Sequence, residues 1–175
     1  QTKVPAGEIF SFWKYIGNPS KKNGFVVGRE IREGCIVPSI AGGLCQLSNA
    51  LYDAALKAGF TIHERHRHSQ VVKGSLAEQG RDATVKWNYI DLRFSSTTDF
   101  QITIEMSDEY LTVTIKGKEK KLNSKGFTFL HTIAPSPLND CVSCRNTACY
   151  ICETNETVFN EGAITYILDE KWDEY

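Results

Sequence analysis

The stretch Ala41-Gly42-Gly43-Leu44-Cys45-Gln46-Leu47-Ser48-Asn49-Ala50-Leu51-Tyr52 decides how the rest of the chain is read. From Leu44 onward the apolar residues Leu44, Leu47, Leu51, Ala54, Ala55 and Ala58 recur at steps of three and four, one face of an α-helix. Gly59 stands where a helix stop uses a left-handed residue. Cys45 therefore falls in or beside the first turn, among unpaired backbone N–H groups and at the positive end of the helix dipole. A thiol there has its thiolate favoured, and the thiolate is the nucleophile. Gly42 and Gly43, lacking a Cβ, let the backbone turn sharply and a substrate come close. The competing reading of Cys45 is a small buried hydrophobe, the commonest use of a lone cysteine.

Beyond the helix, Phe60 to Val72 reads as one extended strand. Alternation then puts Glu64, His66 and His68 on one side and His63, Arg65 and Arg67 on the other. Two histidines close behind a candidate nucleophile suit a general base or a metal ligand; an exposed polar strand is the plainer alternative. His68, ending the charged run beside Ser69, is the preferred base. Arg65 and Arg67 can bind a substrate carboxylate or phosphate. Residues 80–94 alternate with a phase shift at Tyr89-Ile90, which predicts a bulge or two strand segments. Asp82, at the start of that stretch, can orient a histidine or pair with Arg81.

Upstream, Ser11 can cap a short helix carrying Trp13 and Ile16. Phe25-Val26-Val27 predicts a strand, and Cys35 reads as structural, with pairing to Cys45 left open. Downstream, Phe100–Met106 and Tyr110–Ile115 alternate cleanly around Ser107-Asp108-Glu109 and predict a hairpin with one buried face. A lysine-rich stretch from Lys116 to Lys125 reads as a solvated loop or edge strand, and Phe127–Ile133 as a further strand.

At 175 residues, the chain suits one domain with a small appendage. A net charge of −1 gives no argument for nucleic acid or an anionic membrane surface as partner. No apolar run approaches a membrane span, and no signal peptide is visible. Beginning Gln-Thr-Lys without Met, the chain reads as an excised piece. Four of the six cysteines, Cys141, Cys144, Cys149 and Cys152, form C-x2-C-x4-C-x2-C. Four thiolates at that spacing suit tetrahedral zinc, with an iron–sulfur cluster as the alternative. Two local disulfides or redox-active pairs are the rivals. Clustered cysteines favour a reducing, cytoplasmic setting.

The run GGLCQLSNALYDAALKAG, followed by ERHRHS and GRDATV, and preceded by GEIFSFWKYIGNPSKKNGF, resembles the VanW family over about residues 5 to 95. The family takes its name from an accessory protein of bacterial glycopeptide-resistance clusters. The resemblance implies a cell-envelope connection. Some members are regarded as cysteine-dependent peptidoglycan L,D-transpeptidases; their cysteine carries over to Cys45 and their histidine pair to His66 and His68. A minimal VanW domain does not need the four-cysteine cluster.

The expected fold is α+β. A Cys45-bearing helix packs on a mainly antiparallel sheet in a domain of residues 1–134, with a Cys-rich, metal-binding segment at 135–175. The leading function is cysteine-dependent acyl transfer or hydrolysis on a peptide or peptidoglycan-type substrate. In it Cys45 attacks, His66 or His68 moves the proton and Asp82 or Glu64 orients the imidazole. Two alternatives stand beside it: a non-catalytic module held together by the cysteine cluster, and a metal site at Cys45, His66 and His68.

Overall fold

Cys45 sits on α2 (Leu44–Lys57), the long helix around which the other elements gather. The computed structural model describes residues 1–32, 35–69, 71, 76–107, 110–118 and 126–133. Before α2 come β1 (Thr2–Val4), β2 (Ile9–Ser11), α1 (Phe12–Ile16), β3 (Val27–Arg32) and β4 (Cys35–Ile40). After it come β5 (Thr61–Glu64), β6 (Arg93–Ser95), β7 (Phe100–Met106), β8 (Leu111–Lys118) and β9 (Gly126–Ile133). The class is α+β, but the strands form three sheets, in the orders β1-β7-β8-β9, β2-β6-β5 and β3-β4. Every pairing is antiparallel.

Helix α2 lies across β8 and β9 and buries Ala50, Leu51, Ala54 and Ala55 against the sheet. The small alanines allow close approach; the volume is filled by phenylalanines from several elements. Phe10 stacks on Phe94 at 4.6 Å between ring centroids, and Phe60 meets Phe100 at 4.6 Å. Leu92, Ile102, Val113 and Ile115 complete this core. The β7–β8 hairpin forms in the expected place, with Phe100 opposite Gly117 and Met106 opposite Leu111. The Ser11 side chain caps α1 by accepting from the Lys14 N–H at 3.2 Å. Gly59 takes the left-handed conformation, φ 69°, just past α2.

Three expectations need correction. The 25–40 region is a paired hairpin, β3–β4, and not a lone strand at residues 25–27. Arg29, Glu30 and Arg32 interrupt the apolar run, yet a two-stranded ribbon accommodates them. The strand expected over residues 60–72 ends at Glu64, where the pairing with β6 slips between Ile62 and Glu64. The 80–94 stretch is regular only at Arg93–Ser95; the phase shift marks a tight turn closed by Lys86 and Ile90. The segment 135–175, with Cys141, Cys144, Cys149 and Cys152, lies outside the described residues.

Candidate active site

The turn before Cys45 is built from residues that accept unusual backbone angles. Ala41 has φ 60°, and Gly43, the helix N-cap, has φ 96°. Gly42 is fixed by proximity. A Cβ placed there would come within 2.4 Å of the Gly28 carbonyl carbon and 2.6 Å of the Arg29 nitrogen. These are backbone atoms of β3, which cannot move aside as a side-chain tip can. So both glycines of the pair shape the turn: Gly43 by conformation, Gly42 by contact with the hairpin. Leu44 N–H reaches the Ala41 carbonyl at 3.4 Å, and Gln46 N–H reaches that of Gly43 at 2.9 Å. Among the described residues, none accepts from the Cys45 N–H.

The Cys45 sulfur faces Thr84, Val85 and His68. Its Sγ is 3.9 Å from Thr84 Oγ1 and 4.0 Å from the Val85 carbonyl oxygen. Burial pushes the thiol up, but hydrogen bonding with His68, the Val85 backbone and Thr84, together with the His68 charge, outweighs it; the net shift is downward from 9.0. His68 moves the other way. Burial pushes it down, and its contacts with the Cys45 thiolate and with Asp82 carry it above 6.5. His68 Nδ1 is 2.7 Å from Asp82 Oδ2, which also accepts the His68 backbone N–H at 2.7 Å. With Nδ1 committed to the carboxylate, Nε2 is the ring nitrogen left to meet the sulfur.

Asp82 is buried. Burial pushes its carboxyl up, but the His68 hydrogen bonds and the charges of His68 and Arg65 hold it below 3.8. Arg65 binds its second oxygen, Nη2 to Oδ1, at 2.7 Å, and donates to the Asp82 and Gly80 carbonyls at 2.6 and 2.8 Å. The guanidinium also lies 4.9 Å from the centre of the Tyr52 ring on α2. Imidazole, carboxylate and guanidinium thus form one hydrogen-bonded row in the 65–82 segment, with its imidazole end beside the Cys45 sulfur of α2.

Two polar residues fasten that row to the helix. Ser48 Oγ is wholly buried and donates to the Ala83 carbonyl at 2.5 Å. Asn49 Oδ1 accepts the Ala83 N–H at 2.8 Å. Both backbone groups of the residue after Asp82 are therefore held by α2, one turn from Cys45. The sequence reading missed this pair. The available signal was a serine and an asparagine three and four places after the cysteine, on a helix whose buried face is otherwise apolar except for Asp53.

The remaining candidates separate. His66 is half-exposed and turned to Glu64, 3.5 Å away, while its carbonyl accepts the Thr84 N–H. The expected grouping of Glu64, His66 and His68 on one strand face is not found. Regular pairing stops at Glu64, so Arg65 and His68 converge on Asp82 and His66 points elsewhere. Glu64 accepts the Asp91 N–H at 2.9 Å. Arg81 pairs with the buried Asp53 of α2 and not with Asp82. Arg65, placed earlier as a substrate ligand, is committed to the protein; Arg67 is exposed, with its guanidinium beside Gly80. Among the described residues, no group of three His, Cys, Asp or Glu side chains can hold a metal ion, which removes the Cys45–His66–His68 metal site. Among the same residues, no helix is long and apolar enough to cross a membrane.

A family model described as VanW-like protein matches residues 1–116, a span that holds every residue of the row. The chain belongs to the VanW family. Its VanW domain is 34% identical over 113 residues to the vancomycin B-type resistance protein VanW of Enterococcus faecalis, covering 61% of this chain and 40% of that one. It is also 34% identical over 97 residues to the uncharacterized protein YoaR of Bacillus subtilis, covering 55% of this chain and 31% of that one. The chain thus spans well under half the length of both relatives. No solved structure matches it.

Proposed function

We propose that this VanW domain carries a cysteine acyl-transfer site acting on a peptide amide of the cell wall, with Cys45 as nucleophile, His68 as acid–base group and Asp82 as the residue that orients it. The observation that carries this is the His68–Asp82 pair, Nδ1 to Oδ2 at 2.7 Å, set beside Cys45 so that the thiol is drawn down and the imidazole drawn up. Both shifts favour the charged forms, thiolate and imidazolium, and the thiolate is the attacking species. The sulfur adds to the amide carbon, and the oxyanion accepts from the Cys45 N–H. The C–N bond then breaks, its nitrogen takes the His68 proton, and a thioester remains on Cys45. An acceptor amine or water, deprotonated by the now neutral His68, attacks that thioester and releases the thiolate.

Cell-wall peptide as substrate rests on the relative named for vancomycin resistance. Arg67, exposed beside His68, is the group offered to a substrate carboxylate, and Gly43, where a Cβ would meet only Gln46 Oε1 at 4.0 Å, leaves room for the peptide; the space at Gly42 is taken by the β3 backbone. The four cysteines Cys141, Cys144, Cys149 and Cys152 are proposed as a structural zinc site on their spacing; metal analysis of the purified chain finding neither zinc nor iron removes that part. The acyl-transfer reading is tested by incubating the chain with muropeptides and mapping adducts by mass spectrometry. The expected result is a thioester on Cys45 that is absent from His68→Gln. A thiol that forms no adduct and reacts with iodoacetamide like a free cysteine refutes it.

A further inference from the structure

One aromatic ring stands in the open on the turn that follows Val85. Tyr89 is 78% exposed, although it lies in a firmly built turn. Lys86 and Ile90 close that turn with reciprocal backbone hydrogen bonds of 2.9 and 2.8 Å, and Tyr89 N–H adds a third, to Lys86, at 3.0 Å. Asn88 holds φ 57°, a left-handed conformation that asparagine tolerates better than most residues. The base of the turn is pinned to α1. Trp13 Nε1 donates to the Ile90 carbonyl at 2.7 Å, and Trp87 packs edge-on against Trp13, with centroids 5.4 Å apart. Asp91 accepts from Ser11 Oγ at 2.6 Å. The turn therefore has a fixed place, and it displays a tyrosine that contributes nothing to the core.

The residue that leads into this turn meets the reacting atom. Val85, whose carbonyl oxygen is 4.0 Å from Cys45 Sγ, immediately precedes Lys86. The Lys86 ammonium stands 6.0 Å from the Tyr89 ring centre, and Asn88 is exposed beside it. A flat ring flanked by an ammonium and a carboxamide matches a sugar: C–H groups of a pyranose stack on the ring while hydroxyl and acetamido oxygens accept from the flanking donors. One ring on a polar turn is far too small for a stable protein partner, which needs roughly 1,200 Å² of total buried surface or more.

We infer that the 86–90 turn is a glycan subsite, in which Tyr89 stacks on a pyranose of the glycan chain attached to the peptide that Cys45 attacks. The substrate class rests on the acyl-transfer reading, but the sugar contact does not require turnover and is measured separately. The probe is a soluble β-1,4-linked N-acetylglucosamine oligosaccharide, titrated into the full chain with tryptophan fluorescence as readout, since Trp87 and Trp13 lie at the base of the turn. Saturable binding is expected. Tyr89→Ala should weaken it about ten-fold or more and Tyr89→Phe by no more than about two-fold, a difference of about 1 kcal/mol or more between the two variants. Iodoacetamide should alkylate Cys45 at the same rate in wild type and Tyr89→Ala. Absence of binding to wild type, or equal binding by Tyr89→Ala, overturns the inference even if a thioester forms on Cys45. Tyr89-dependent binding without any thioester leaves the glycan subsite standing and removes the acyl-transfer reading.

Discussion

Replacing Asp82 with asparagine probes the row at its centre. The carboxylate accepts from three donors, Arg65 Nη2 on one oxygen and the His68 backbone N–H and Nδ1 on the other, all at 2.7 Å. An amide cannot serve both sides. With its oxygen towards His68, its NH2 meets Arg65 donor to donor; turned round, its NH2 meets the His68 backbone N–H. In either orientation the largely buried Arg65 loses its counter-charge. Breaking a buried pair by removing one partner costs about 3–5 kcal/mol, and that is the expected loss in urea unfolding. His68 keeps Cys45 but loses Asp82, the second of the two groups that raise its pKa, so the Cys45 thiol should rise and the imidazole fall. Acyl transfer should drop by about 10²–10⁴-fold, the usual worth of a positioned acid–base group. The assay is the iodoacetamide rate as a function of pH on folded protein, alongside unfolding. Asp82→Asn should move its half-point to higher pH. A variant with wild-type stability and an unmoved alkylation profile would show that Asp82 neither holds Arg65 nor tunes the thiol.

Other perturbations follow from the same geometry. The pH dependence of acyl transfer should be bell-shaped, rising as Cys45 ionises below 9.0 and falling as His68 loses its proton above 6.5; a single limb at the ordinary thiol position contradicts the pairing. The signs for stability agree. The Asp82 and Cys45 contributions are present above their unfolded pKa values and are lost as pH falls through the depressed ones. That of His68 is present below its unfolded value and is lost as pH rises through the elevated one. Gly42→Ala drives a methyl into the β3 backbone and should cost about 3 kcal/mol, read as a melting point lowered by about 6–12 °C; an unchanged melt contradicts the close approach. Ser48→Ala leaves the Ala83 carbonyl without its buried donor and should cost about 1–3 kcal/mol in urea unfolding while slowing Cys45 alkylation. Arg67→Ala should raise KM for a muropeptide ending in a free carboxylate and leave KM for its amidated form unchanged.

Much of the frame was legible because it depends on local periodicity. Helix α2, its Gly59 stop, the Ser11 cap and the β7–β8 hairpin all follow from apolar spacing and turn residues within a few positions. What was not legible depends on where regular structure ends. Alternation along residues 60–72 grouped the two histidines, but the register slip at Glu64 frees Arg65 and His68 to meet the same carboxylate. No pattern within one segment reveals that Asp82 takes Arg65 while Arg81 crosses to Asp53, since both pairs join residues of different segments and the adjacent Arg81 is the partner that sequence proximity suggests for Asp82. Ser48 and Asn49 were hidden in the same way: their partners are backbone atoms of Ala83, and backbone partners leave no mark on sequence.

The two halves of α2 answer to different requirements. Its first turns carry Cys45 and are locked in register by Ser48 and Asn49; its last turns meet the core through Ala54 and Ala55 and hold one buried charge, Asp53, paired with Lys57 and Arg81. Substitutions at positions 54 and 55 can therefore retune thermal tolerance with little effect on thiol chemistry, whereas Asp53 pairs with Arg81, the residue before Asp82, and conservative changes at positions 48 and 49 alter reactivity without touching a reacting group. An engineer adapting the domain to a warmer process would work from the C-terminal end of this helix. One seeking altered turnover would leave that end alone and vary the two clamp positions.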